Sequence, residues 1–263
     1  MSPSSDPTRG PGARPAPGKR AAARQRIDQK RAAERAAADA AARKRRGIIG
    51  ATTAAVVVAV AMIVVIVVQT ARTSGQQDAA SPAGVTDGAV VVNEGGPVVV
   101  QVYEDFLCPA CRQFESTVGD TLTQLAADGD IELRYQPIAI LDRASTDDYS
   151  TRSLNAAAVV VDAAGPEAFP VLHDALFAEQ PAEGGAGLSD DRLVELAAEA
   201  GATGTAVEEG IRDLRFEGWT ERVTEQSSQD GVSSTPTVLV DGRPLTDRTA
   251  AGLTAAVDAA QGT

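Results

Sequence analysis

Apolar positions along the chain change period several times. A strand-like run appears at Ala89–Val92, a Gly95-Gly96 turn follows, and a stronger strand spans Pro97–Tyr103. Helical spacing then predicts a helix from Pro109 to about Ala127, and Ile131–Pro137 reads as another strand. Strand, helix, strand in this order is the seed of a parallel α/β unit. Residues 149–226 differ: they are rich in Ala and Glu and broken at Gly165-Pro166, Pro181 and Gly184–Gly187. Helices are predicted over Tyr149–Ala164, Glu167–Ala178, Asp190–Ala200 and Ala206–Gln226. Ser189 is the expected N-cap of the third, with Asp190 and Asp191 in its first turn and Gly201 as its stop. The block reads as a helical insertion between two parts of a sheet. Strand character returns at Thr237–Val240, Asp241-Gly242 signals a hairpin turn with Arg243–Leu245 pairing back, and Thr249–Gln261 closes the chain as an amphipathic helix.

Charge divides the chain differently. The protein has 263 residues and a net charge of −12, but residues 1–46 carry a net +9 and the remainder −21. Between them Gly47–Val68 contains no charged residue. As a helix these residues span roughly 33 Å, enough to cross a bilayer core. The run exceeds a signal-peptide core, and no small-x-small cleavage site follows in Gln69–Thr73, so the reading is a retained transmembrane signal anchor. Arg43-Lys44-Arg45-Arg46 abuts its amino end and only Arg72 follows its carboxyl end, which places residues 1–46 in the cytoplasm and the rest outside. The expected organisation is a basic, largely disordered arm at 1–46, the membrane span at 47–68, a linker at 69–87 and one folded domain at 88–263 with its helical insertion at about 149–226. The arm has no aromatic residue and no reading motif, so it is read as a topology determinant touching lipid head groups, with no nucleic-acid role.

Chemistry concentrates in Cys108-Pro109-Ala110-Cys111, the only two cysteines of the chain. They follow a strand ending in YEDFL and open a helix. A helix amino terminus offers free N–H groups and partial positive charge, both of which favour a thiolate at Cys108. Pro109 falls where a missing N–H costs nothing, and Cys111 lies one turn on, within reach of Cys108. Three uses compete. Redox exchange needs this strand–helix setting: Cys108 attacks a disulfide and Cys111 resolves the mixed disulfide. A static disulfide would close a very short loop and add little stability. A metal site needs more ligands than two cysteines, and the one histidine, His173, falls on a distant predicted helix. No metal site is expected, and with neither GxGxxG nor P-loop no cofactor is expected.

VYEDFLCPACRQFE resembles the active site of DsbA-like thiol–disulfide oxidoreductases of the thioredoxin superfamily, and GVSSTPTVLVDG at Gly231–Gly242 resembles that family's cis-proline loop and following strand. The resemblance covers about residues 85–263, and the membrane-anchored, Arg- and Ala-rich form is similar to actinobacterial cell-envelope members. It implies an α/β thioredoxin-like fold with an inserted helical subdomain, preceded here by one transmembrane helix. It also implies that Cys108 is the exposed nucleophile, Cys111 the resolving thiol, Pro236 the cis-proline with Thr235 before it, and the adjoining backbone a strand that pairs with substrate peptide. Two departures stand out. Ala110 occupies a place where DsbA proteins often have His, which leaves Cys108 without that stabilising side chain. Val102 stands six residues before Cys108, where thioredoxin-like folds often bury an acid; Glu104 has the same strand parity and is a candidate proton acceptor for Cys111, against the alternative of an exposed acid at a strand end.

Asp105 reads as a loop acid, His173 as a helix-surface or boundary residue, and Trp219 as core, spaced helically with Phe216 and Val223. The expected function is a membrane-anchored disulfide donor acting on cysteine-containing exported proteins outside the cytoplasmic membrane, with reoxidation by a membrane quinone reductase of the DsbB or VKOR type. A reductase or isomerase would use the same residues at a different potential, and a chaperone-like binding domain with a static disulfide is the non-enzymatic alternative.

Overall fold

The computed structural model describes residues 29–37, 39, 58, 60–64 and 80–262. The chain divides into two compact units, Met1–Thr70 and Ala71–Thr263. In the first, the described residues are helical and exposed. Among the described residues no helix is long and apolar enough to cross a membrane. Most of the apolar run at 47–68, much of the basic arm and residues 69–79 of the linker lie outside the described residues.

The second unit is built on a six-stranded sheet. Its strands are β1 (Val85–Thr86), β2 (Ala89–Val91), β3 (Val98–Glu104), β4 (Ile131–Pro137), β5 (Thr237–Val240) and β6 (Arg243–Pro244), in spatial order β1-β2-β4-β3-β5-β6. β3 and β4 run parallel, with Val98 opposite Ile131 and Glu104 opposite Pro137; every other pairing is antiparallel. β3, VVVQVYE, is Val-rich and central, as suits a strand covered on both faces. Helix α1 (Pro109–Ala127) joins β3 to β4 and presents Cys111, Phe114, Val118, Leu122 and Ala126 on one buried stripe. The β5–β6 turn uses Asp241 and Gly242, both at positive φ (46° and 75°), which is the turn that matches strand twist. The last helix, α7 (Ala250–Gln261), packs beside α1 and against β3 and β5, and Thr249 caps it by accepting from the Gly252 N–H at 3.1 Å.

The insertion contains α2 (Tyr149–Ala164), α3 (Phe169–Ala178), α4 (Asp190–Glu199), α5 (Thr205–Arg212) and α6 (Glu217–Gln229). α2 is its axis: Ala156–Val161 are all buried, and α3 to α6 pack around it. Ser189 caps α4 as expected, accepting from the Arg192 N–H at 3.2 Å.

Three expectations are corrected. Val85 and Thr86, placed by sequence in the linker, form an edge strand, because Asp87 and Gly88 turn the chain back at positive φ. The helix expected at Glu167–Ala178 begins as a single 3-10 turn, Pro166–Ala168. The helix expected at Ala206–Gln226 is two helices, broken where Leu214 takes φ 52°. The cause is buried Asn155 of α2. Its Nδ2 donates to the carbonyls of Gly210 and Ile211, and its Oδ1 accepts from the Phe216 N–H at 2.8 Å, so the groups freed by the break find partners.

Candidate active site

Cys108 is the N-cap of α1, with extended backbone (φ −73°, ψ 115°), and Pro109 opens the helix. The Cys111 and Arg112 N–H groups donate to the Cys108 carbonyl at 3.1 and 3.2 Å. The turn is held from two further sides. Asp105, wholly buried, accepts from the N–H groups of Leu107, Ile140 and Leu141 and from the Ser150 hydroxyl at 2.7 Å, and so ties the end of β3 to α2. Burial nevertheless pushes its carboxyl up to about 6, because desolvation outweighs those donors. Gln180 donates through Nε2 to the carbonyls of Phe106 and Cys108 at 3.0 and 2.9 Å.

The Thr235–Pro236 peptide bond is cis, and the Cys108 Sγ–H donates to the Thr235 carbonyl at 3.4 Å. The structure therefore brings together the two segments that the sequence singled out, 127 residues apart. Arg248 Nη1 donates to the Pro236 carbonyl at 2.9 Å and fixes the far side of this loop.

Both cysteines are free thiols, and their environments oppose each other. Cys108 is pulled down to about 5, chiefly by the hydrogen bond from the Cys111 side chain, against desolvation, with further help from Thr235 and the N–H groups of Cys111 and Ala110. The helix terminus and the second thiol thus supply the stabilisation that a histidine at position 110 would otherwise give. Cys111 is pushed far up, first by burial, then by its bond to Cys108 and by the negative charge of Glu104. Cys108, expected to be exposed, is as a residue only 6% accessible, and Cys111 is 0%.

Beneath Cys111 lies a buried polar cluster. Glu104, at the end of β3, is fully buried, which excludes the exposed-acid reading. His173 of α3 is buried as well, not at the helix surface where the sequence reading put it. Its Nε2 lies 2.8 Å from Glu104 Oε1, an ion-pair contact without hydrogen-bond alignment, and its Nδ1 lies 3.1 Å from Oδ1 of exposed Asp174. Burial alone would lower His173, but the Glu104 carboxylate outweighs it and the imidazole ends at about 10. Glu115 of α1, near the Tyr135 hydroxyl, is pushed up to about 8 by burial and by Glu104. The His173–Glu104 contact is thus an ion pair, with Glu115 beside it pushed toward its neutral form. Glu104, Glu115 and His173 are also the grouping whose ligand atoms, within 4.8 Å of one another, have the composition of a metal site. The direct imidazole–carboxylate contact makes the ion-pair reading the better account of their geometry.

Sequence reasoning missed His173, Glu115, Gln180 and Arg248. Two of them left a signal. Phe169, Leu172, His173, Leu176 and Phe177 form one helical stripe, so His173 sits at an apolar position of its helix. Glu115 is one turn beyond Cys111 on the same face of α1.

A parallel β3–β4 pair, a dithiol turn at the mouth of α1 and a cis-proline loop against its first sulfur define a thioredoxin-fold protein disulfide oxidoreductase. The Thioredoxin_4 family model, described as Thioredoxin, matches residues 86–259, and the chain belongs to that family, in its DsbA-like branch. Reduced DsbA from Mycobacterium tuberculosis is 36% identical with TM-score 0.59, covering 67% of this chain and 93% of that one. Reduced disulfide bond oxidoreductase DsbG from the same organism is 36% identical with TM-score 0.60, covering 68% and 90%. MdbA, a thiol-disulfide oxidoreductase from Corynebacterium diphtheriae, is similar in fold at 24% identity, TM-score 0.55, covering 71% and 98%. A stretch of 134 residues, 49% of this chain, is 29% identical to the serine/threonine-protein kinase PknE of M. tuberculosis, of whose length the chain spans 24%.

Proposed function

We propose that this disulfide oxidoreductase is a disulfide donor, anchored in the cytoplasmic membrane by residues 47–68 with its catalytic domain outside. The depressed Cys108 thiol carries the reading. A thiolate stabilised in the dithiol form makes reduction of the enzyme favourable, so its disulfide is readily passed on. A shift from 9.0 to about 5 is worth about 2 kcal/mol at pH 7 after allowance for solvent at the mouth of the site, or about 40 mV for a two-electron couple. Substrate thiolate attacks Cys108 Sγ and the Cys108–Cys111 bond breaks, with its electron pair going to Cys111. A second substrate thiolate then attacks the substrate sulfur of the mixed disulfide and expels the Cys108 thiolate. The chargeless run beside Arg43–Arg46 supports the anchor and its orientation. Exported proteins with paired cysteines are the proposed clients, and a membrane quinone reductase of DsbB or VKOR type is the proposed oxidant that restores the disulfide.

The test is oxidative refolding of a reduced two-cysteine client by the full chain. Cys108→Ser is expected to abolish client oxidation. Cys111→Ser, first loaded with glutathione on Cys108 by glutathione disulfide, is expected to exchange the glutathione for client and accumulate that mixed disulfide, visible as a reducible band. Client oxidation by Cys108→Ser at the wild-type rate would sink the proposal.

A further inference from the structure

Glu104 is sealed from water, with neither carboxylate oxygen in an aligned hydrogen bond, yet its charge bears directly on Cys111. A proton that leaves or reaches Cys111 through Glu104 needs a way past the wall of the domain. His173 occupies that wall. The imidazole is 2% exposed, and its two nitrogens face opposite ways in polarity: Nε2 meets sealed Glu104 at 2.8 Å, and Nδ1 meets Asp174, which is 82% exposed, at 3.1 Å. Around the ring stand Glu104 from β3, Glu115 from α1, Tyr135 from β4 and neighbouring Asp174, and the rest of its surroundings is the aromatic set Phe106, Phe169 and Phe177. Those rings pack against the imidazole on its apolar sides.

We propose that His173 is the proton conduit between Glu104 and bulk water, so that Cys111 exchanges its proton through Glu104 and His173 during each turnover. An imidazolium held by a carboxylate gives up a proton when that carboxylate is neutralised, and regains it when the charge returns. When the dithiol form is reoxidised, Cys108 thiolate first attacks the oxidant disulfide and expels one thiolate. The Cys111 thiol then loses its proton to Glu104 as its sulfur attacks Cys108 Sγ, the new S–S bond forms, and the second thiolate leaves. Neutralising Glu104 removes the charge that holds the imidazole as a cation, so Nδ1 delivers its proton to Asp174 and water and the ring is left neutral. In client oxidation the flow reverses, and the departing Cys111 sulfur is protonated from the same chain. The insertion is therefore part of the chemistry: it carries His173 to the floor of the site. His173 is a positioning residue that acts through Glu104.

The inference rests on dithiol–disulfide exchange at Cys108 and Cys111, so the test separates the two steps. Reduced full chain is mixed with glutathione disulfide, and quenched-flow alkylation with mass spectrometry follows the glutathione adduct on Cys108 and its expulsion by Cys111. His173→Gln is expected to leave adduct formation unchanged and to slow expulsion about tenfold, the low end of what a positioned proton-transfer group contributes. The slowed step is expected to recover as imidazole buffer is raised, while wild type shows no such dependence. Expulsion at the wild-type rate, or slowing that no buffer relieves, would overturn the conduit. Failure of wild type to form or expel the adduct would instead overturn the exchange itself. Should His173→Gln not fold, nitrogen NMR of the wild-type protein serves, because His173 is its only histidine. Ring signals that differ between the dithiol and disulfide forms support the conduit. Identical signals, or a stoichiometric divalent metal retained on these side chains, would overturn it.

Discussion

The mouth and the floor of the active-site turn contain the same residue type three positions apart, and the protein treats the two oppositely. At the mouth, Cys108 meets a helix terminus, the Thr235 loop and the Cys111 thiol, and its own thiol is held at about 5. At the floor, Cys111 meets burial and the Glu104 charge, and its thiol is held far above its ordinary value. The contrast divides the labour. One sulfur is ready to attack or to leave as an anion at neutral pH, and the other must be given or relieved of a proton. The Cys111 thiol and the N–H groups of the helix terminus supply the first environment together. Side chains from β3, α1, β4 and α3 supply the second.

The largest expected effect tests that division directly. The Cys108 thiolate, followed by its ultraviolet absorbance or by the rate of iodoacetamide alkylation, is expected to titrate near pH 5 in the dithiol form. Because the folded value lies below the unfolded one, the thiolate stabilises the folded dithiol form fully above pH 9, and that stabilisation is lost as pH falls through about 5. Denaturation midpoints of the dithiol protein should therefore rise relative to the disulfide protein across that window. Cys111→Ala removes the largest cause and is expected to move the Cys108 midpoint up by about 1–2 pH units, the worth of one hydrogen bond to a charged group. A midpoint that stays at 5 would place the stabilisation in the helix terminus instead. A smaller effect is expected at Gln180. Gln180→Ala deletes two hydrogen bonds to carbonyls beside the turn and is expected to cost about 1–2 kcal/mol in urea denaturation at unchanged slope. The Cys108 titration should stay near 5. A shift there would show that Gln180 acts on the sulfur as well as on the backbone.

The mouth was legible in the sequence and the floor was not. Cys108-Pro109-Ala110-Cys111 between a strand and a helix, and Thr235-Pro236 before another strand, are local patterns, and the structure places them in contact. The sheet was legible for the same reason: Ile131–Pro137 and Thr237–Val240 coincide with β4 and β5 because the first alternates apolar and polar residues and the second is a short apolar run. The floor depends on which elements meet. Glu104 read either as a proton acceptor for Cys111 or as an exposed strand-end acid until the fold buried it, and His173 looked like a boundary residue until its apolar stripe closed over it. The break between α5 and α6 was hidden for a similar reason. Its cause is Asn155, more than fifty residues earlier, and no proline or glycine pair marks the spot. Edge strand β1 was hidden by its length, two residues in a stretch of linker composition.

The reduction potential of the Cys108/Cys111 pair in the full chain tests the account most directly. A stabilised Cys108 thiolate predicts a couple more oxidising than the thioredoxin range of about −270 mV by at least about 40 mV, displaced toward about −120 mV, the range of strong dithiol oxidants. A value near about −270 mV, the range of thioredoxin, would contradict the disulfide-donor reading and assign the same site to reduction.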